Sequence, residues 1–225
     1  MTILAPEPRD RVVAKYAMTE SELTAVLAQH HLQQTSVAHL VTIYFDDPDG
    51  RMYADHFRKT DRRFKVRLRK RDDVSVIEVK LKGGHGEKLR QLPAAEYDAS
   101  AQQFVRACLD SAFEPGFAAG IEGKLKPVVT TSFQRTVWQL SPGEELLVDR
   151  DLVLQRGERK ARLAEGFVVV EILSGSKNGA ALRLFKHSGH RRVRFSKFTA
   201  ALDLLQSDRA KAHNPELLRM LFDVD

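Results

Sequence analysis

Two runs in this chain, Phe64-Lys-Val-Arg-Leu-Arg-Lys-Arg71 and Val76-Ile-Glu-Val-Lys-Leu-Lys82, alternate apolar and charged residues. On a β-strand, side chains alternate faces with a period of two. Lys65, Arg67, Arg69 and Arg71 therefore share one face of the first strand, and Phe64, Val66 and Leu68 share the other. In the second, Glu78, Lys80 and Lys82 lie opposite Ile77, Val79 and Leu81. The intervening Asp72-Asp73 reads as a tight turn. The expected product is a hairpin with one apolar face and one densely cationic face. Like charges directly opposite on paired strands are destabilising. So many cations together call for free access to water or a bound polyanion.

The 225 residues suit one large domain or two small ones, with room for a substantial core. At 43% hydrophobic and 29% charged, the composition is that of a globular protein rather than a disordered tail. The net charge of +6 is unevenly spread. Arg58–Arg71 holds nine basic residues and one acidic residue, Asp61, and such a local excess points to an anionic partner. The single Cys108 excludes an internal disulfide framework and suits a reducing compartment. Met1–Pro8 is too short and too interrupted by proline for a signal sequence. Apolar runs such as Phe167–Val170 fall far short of the roughly 20 residues of a membrane helix. The expectation is a soluble, cytoplasmic protein with no membrane segment.

Along the chain the pattern is mixed. Val12–Met18 predicts a strand. Thr19-Glu-Ser-Glu22 matches a capping box and opens a helix to about His31. Val37–Phe45 is a second strand, ended by the turn Asp46-Asp-Pro-Asp-Gly50. After the hairpin, the glycine-rich break Gly83-Gly-His-Gly86 leads into a short strand bearing Lys88 and Arg90. Asp98–Ala112 is helical. Leu125–Leu140 is a long strand that turns at Ser141-Pro-Gly143 into Leu146–Leu154. Gly157–Arg162 reads as a charged loop, and Phe167–Leu173 as a strand. Asn178–His187, Phe198–Leu205 and Pro215–Phe222 are expected helices. No repeat, low-complexity tract or linker interrupts the chain. It reads as one domain over residues 1–225, with a core at 12–205 and a tail at 206–225. The fold class is α+β, with seven or eight mostly antiparallel strands. Charge on one strand face and Val, Ile or Leu on the other fits an open sheet with a wet face. It fits equally a closed barrel with a charged interior and helices outside.

The ordered set Lys15-Tyr16, Ile43-Tyr-Phe-Asp46, Lys65-Val-Arg-Leu-Arg69, Glu78-Val-Lys80, Lys88-Leu-Arg90, Phe133-Gln-Arg135, Val148-Asp-Arg-Asp-Leu152, Val170-Glu171 and Phe195-Ser-Lys197-Phe resembles the VTC domain. This is the polyphosphate polymerase branch of the triphosphate tunnel metalloenzymes, a CYTH-like superfamily. The resemblance spans about Val12 to Leu205. It implies an antiparallel β-barrel tunnel of about eight strands, with a basic lumen and helices packed outside.

It implies roles as well. Arg67, Arg69, Lys80, Arg135 and Lys197 match the catalytic phosphate-gripping cations. Lys15, Lys88, Arg90 and Glu78 match substrate-binding positions, and Glu171 matches the carboxylate that holds a divalent metal, Mn²⁺ or Mg²⁺. The implied reaction moves the terminal phosphoryl group of ATP to inorganic polyphosphate. These residue types suit it: phosphoryl transfer spreads negative charge over oxygens, so positioning and electrostatics dominate. Arginine offers a planar fork and lysine a compact charge.

The chain also departs from the family pattern. The E-x-E-x-K signature of the hydrolases and cyclases is replaced by Arg11-Val-Val-Ala-Lys15, which argues against that chemistry. Val13 stands where the polymerases often keep a glutamate. Glu145 replaces an expected basic residue, and Leu173 stands where a lysine usually follows Glu171. Val13 and Glu145 favour an alternative, a noncatalytic polyphosphate- or triphosphate-binding module; a triphosphatase or nucleic-acid binder is a further alternative. Aromatic residues are sparse on the cationic strands, which counts against nucleic acid. His30-His31, His85, His187 and His190 lack a metal-binding spacing. The Gly83–Gly86 run is no P-loop, since no Gly-Lys-Ser/Thr follows. Cys108 reads as packed rather than reactive.

Overall fold

The computed structural model describes residues 12–28, 32–83, 86–176, 178–206 and 214–225. Among these, ten strands form one sheet: β1 (Val12–Thr19), β2 (Gln33–Asp46), β3 (Arg63–Arg71), β4 (Val74–Gly83), β5 (Gly86–Pro93), β6 (Lys126–Ser141), β7 (Glu144–Arg156), β8 (Arg159–Leu163), β9 (Phe167–Ser174) and β10 (Phe222–Val224). Six helices accompany them: α1 (Glu20–Leu27), α2 (Arg51–Arg58), α3 (Ala99–Ala112), α4 (Ala180–His187), α5 (Lys197–Leu205) and α6 (Pro215–Leu221). The strand order is β1-β9-β7-β6-β2-β3-β4-β5, with β8 against β7 and β10 against β8. The α+β class and the antiparallel pairing are as the sequence predicts. The chain falls into two compact units, one built on Val41–Thr130 and the other on Arg11–Leu40 with Thr131–Asp225.

In the first unit, β3, β4 and β5 form an antiparallel meander. Phe64, Val66, Leu68, Ile77, Val79, Leu81 and Leu92 are buried, and α3 packs against β4 and β5 on this side. The amphipathic spacing of Ala101, Phe104, Val105, Cys108 and Leu109 gives α3 its buried stripe. Asp98 caps it by accepting from the Ala101 amide. Each fully buried large apolar side chain contributes about 1.5–3 kcal/mol.

In the second unit, β9 lies between β1 and β7. Ala14, Tyr16 and Met18 alternate inward from β1 and join Leu146, Val148, Val168, Val170 and Ile172 in one core. Phe185 of α4 closes on it, its ring 4.8 Å from that of Tyr16. The capping box at α1 forms as expected: Thr19 Oγ1 accepts from the Glu22 amide, and Glu22 Oε2 accepts from the Thr19 amide. Helix α1 ends at Leu27; the expected extension over Gln29–His31 lies outside the described residues, as do Gly84 and His85.

Two expectations are corrected. Gly157–Arg162 is not a loop throughout: Arg159–Leu163 is β8, hydrogen-bonded to β7 on one side and β10 on the other. Ala161 is its one buried residue, and Arg159 donates to the Leu205 carbonyl. The second correction is α2, which sequence patterning does not show. Its N-cap, Gly50, makes no side-chain hydrogen bond. The caps come instead from upstream carboxylates. Asp47 Oδ1 accepts from the Arg51 amide, and Asp46 accepts from those of Met52 and Tyr53.

Candidate functional site

The β3–β4 register fixes the cationic face of the first unit. Arg67 stands opposite Glu78, Lys65 opposite Lys80 and Arg63 opposite Lys82. The like-charged cross-strand pairs expected from the sequence are therefore present. The one carboxylate of this row, Glu78, is 2% exposed. Arg67 donates to Glu78 Oε2 at 2.5 Å, and an Arg69 nitrogen lies 3.6 Å from the same oxygen. Gln91 Nε2 donates to Glu78 Oε1 at 2.7 Å. Burial alone would raise the Glu78 pKa, but Arg67 and Arg69 outweigh it and hold it down at about 2. Arg67 also reaches Tyr44, donating to its hydroxyl at 3.4 Å. An ionised carboxylate thus clamps two half-buried guanidiniums in fixed directions.

Lys88 and Arg90 are not brought to this face. Directly opposed residues on paired strands share a face, and the β4–β5 register sets Arg90 opposite Val79 and Lys88 opposite Leu81. Both therefore stand on the apolar, helix-covered side, and Arg90 acts electrostatically on Cys108 of α3. Gln91, which sequence reasoning missed, occupies the position facing Glu78.

The second unit holds a cluster of Lys15, Arg135, Asp149, Glu171 and Lys197. Lys15 and Glu171 are directly opposed on β1 and β9, with Nζ 3.8 Å from Oε2. Arg135 of β6 also lies 3.8 Å from Glu171 Oε2. It makes a bidentate pair with Asp149 of β7, at 2.6 and 2.8 Å. Lys197, the first residue of α5, donates to Asp149 Oδ2 as well. The Lys197 ammonium and the Arg135 guanidinium both lie over the Phe133 ring, at 4.4 and 5.2 Å from its centroid.

Asp149 has no exposed surface, and burial would raise its pKa. Lys197 and Arg135 reverse that and press it far below the ordinary carboxylate range. Burial lowers the Lys197 pKa, and Arg135 and Lys15 push the same way against Asp149. The five residues named are three cations and two carboxylates. Asp149 stands in the motif Val148–Leu152 but carries no role in the sequence reading. Its signal was an acid set directly after the apolar run Leu146-Leu-Val148, in a strand position where aspartate is rare.

The three sequence departures fall on one cross-strand row. Val13 and Glu145 each stand opposite Leu173, one on either side. This row lies two residues from Lys15–Glu171–Leu147 and so on the same face. It bounds the cluster at one end.

No group of three His, Cys, Asp or Glu among the described residues could cage a metal ion. Glu171 is the carboxylate suited to a hard cation. Asp149 is committed to two donors at hydrogen-bond distance, whereas Lys15 and Arg135 each lie 3.8 Å from Glu171 Oε2. One carboxylate fits an ion held mostly by phosphate oxygens and water.

The family model described as VTC domain matches residues 10–206. None of the curated proteins matches the chain. Among solved structures, it is similar to a proposed adenylate cyclase from Bacillus halodurans (TM-score 0.56, 13% identity, covering 83% of this chain and 93% of that one). It is also similar to a proposed adenylate cyclase from Vibrio parahaemolyticus (TM-score 0.52, 13% identity, 88% and 99%). A third is a proposed adenylyl cyclase from Hippeastrum described as having a dominant triphosphatase activity (TM-score 0.51, 17% identity, 85% and 94%). At these identities the likeness is one of fold. No helix among the described residues is long and apolar enough to cross a membrane.

Proposed function

The chain belongs to the VTC domain family, and on that premise we propose that it is a phosphotransferase moving the terminal phosphoryl group of ATP to a polyphosphate chain. The observation that carries this reading is Arg135, half-buried and locked by the bidentate grip of Asp149, beside Lys197 on the same carboxylate. Cations fixed in this way need little reorganisation when charge develops on a transferring phosphoryl group. Arg67 and Arg69, clamped by Glu78, have the same property.

In the proposed reaction, a terminal oxygen of the polyphosphate attacks the γ-phosphorus of ATP. A new P–O bond forms, the bond to the β-bridging oxygen breaks, and ADP leaves with the electron pair. The attacking phosphate oxygen is already anionic, so no protein nucleophile or base is required. Arg135, Lys197 and Lys15, and in the first unit Arg67, Arg69 and Lys80, bind and orient phosphate oxygens. Glu171 would hold Mn²⁺ or Mg²⁺, which supplies charge neutralisation when bound. Lys88 and Arg90 have no part in this scheme, given their face of the sheet.

A second reading is favoured by the Val13–Leu173–Glu145 row, which sets a carboxylate and two apolar side chains at the margin of the cluster. It is a phosphate-chain-binding module without turnover. Incubation with labelled ATP, a polyphosphate primer and Mn²⁺ separates the two. Long labelled polyphosphate that disappears in Arg135→Ala and Arg67→Ala supports the transferase. Binding of tripolyphosphate with no product supports the module, and release of inorganic phosphate alone shifts the assignment to a triphosphatase.

A further inference from the structure

Between Glu171 and Asp203 the chain contains no acidic residue, and Arg183, Lys186, Arg191, Arg192, Arg194 and Lys197 fall within this interval. Lys197 is the half-buried member of the cluster. The other five are exposed. Lys186, Arg191, Arg192 and Arg194 pair with no carboxylate among the described residues, in contrast to Lys15, Arg135 and Lys197, which each face one. Cations at the end of a helix oppose its dipole, which accounts for Lys186 in the last turn of α4. That explanation does not reach Arg191, Arg192 and Arg194, which follow α4 outside any helix or strand.

This stretch is held in place. The His190 amide donates to the Phe185 carbonyl, and the His190 ring packs 6.3 Å from that of Phe185. The Val193 amide donates to the Lys15 carbonyl at 2.8 Å, so the stretch runs beside the outer strand β1 at the very residue whose ammonium faces Glu171. It then enters α5 at Lys197. An exposed row of unneutralised cations thus leads along the backbone to two members of the cluster.

We propose that the Lys186–Arg194 stretch is a docking track for an inorganic polyphosphate chain, holding the length of polymer that extends beyond the phosphates gripped by Lys15 and Lys197. It rests on the phosphate-chain reading of that cluster. A long flexible polyanion fits because Lys186, Arg191, Arg192 and Arg194 offer four exposed cations spread over nine residues of chain. A short anion would use only one or two of them. The consequence is a length-dependent affinity: each added phosphate that meets a cation releases a counterion and steepens the salt dependence.

The test compares tripolyphosphate with polyphosphate of about one hundred units, titrated against the full chain at several salt concentrations. The variants are Lys186→Gln/Arg191→Gln/Arg192→Gln/Arg194→Gln and, as a second perturbation of exposed residues, Arg191→Glu/Arg192→Glu. For both, the expected result is a loss of long-chain affinity of tenfold or more at low salt. The quadruple variant should also lose about 2–3 in the slope of log K against log salt, and tripolyphosphate affinity should be unchanged. Unchanged long-chain affinity in both variants overturns the track. So does an equal loss for both ligands, which would place these residues in the cluster itself. Tighter binding of a single-stranded RNA of matched charge overturns the choice of ligand. If wild type binds the long chain through the track but does not bind tripolyphosphate, the reading of the cluster fails while the track stands.

Discussion

Asp149 holds Arg135 and Lys197 on a single buried carboxylate, and it is the residue on which the second cluster turns. Asp149→Asn leaves two half-buried cations without their counter-charge. Removing one partner of a buried pair typically costs about 3–5 kcal/mol, and urea unfolding of the variant should show a loss of that order. A change below about 1 kcal/mol would mean that solvent, not Asp149, neutralises these cations. Glu78 makes a different prediction. Its folded pKa of about 2 lies below the unfolded value of 4.5, so it contributes stability that is present above pH 4.5 and lost as pH falls toward 2. Glu78→Gln should flatten the acid limb of the stability curve in that window. Arg67, Arg69, Lys80 and Glu78 were legible because period-two alternation assigns faces directly. Lys88 and Arg90 have a role by resemblance alone, because faces across a turn depend on register and a shift of one residue exchanges them. The sequence does not show that Gly83 pairs with Gly86.

At the scale of elements, α2 and α4 each depend on a carboxylate from elsewhere in the chain. Asp46 is buried, and desolvation raises its pKa to about 6, although three backbone amides pull it down. A carboxyl with its folded pKa raised above 3.8 contributes stability that is fully present below pH 3.8 and is lost as pH rises through 6. Asp46→Asn should remove that decline between pH 4 and 6, read as a flatter melting temperature across the range. Glu144 plays the corresponding part at α4. It accepts from the Ala180 amide and from the hydroxyls of Ser141 and Ser174. Gly179 must be glycine beside it, because a Cβ there would lie 1.8 Å from Glu144 Oε1 and 2.2 Å from Ser174 Oγ. Gly179→Ala should cost about 1–3 kcal/mol, a fall of about 2–4 °C in Tm for each kcal/mol. Helix α2 and strand β8 escaped the sequence reading for related reasons. The caps of α2 come from residues assigned to a turn, and β8 has a single buried residue, so neither announces itself through an apolar stripe.

Over the whole molecule, the long alternating strands and the order of the motifs carried the α+β class, and the family match covers residues 10–206. What the sequence could not carry is which carboxylate serves which cation, since that follows from pairing partners distant in the chain: Arg135 with Asp149, Lys15 with Glu171. The charge balance of the two clusters is the common thread. Each has more cations than carboxylates and keeps them half-buried, an arrangement whose deficit an anion with several oxygens would fill. Calorimetric titration with tripolyphosphate tests this most directly, on wild type and on Arg135→Ala and Arg67→Ala at matched salt. The account predicts saturable binding by wild type that weakens as salt rises and drops at least tenfold in each variant. Wild type that fails to bind, or variants that bind as well as wild type, would contradict it.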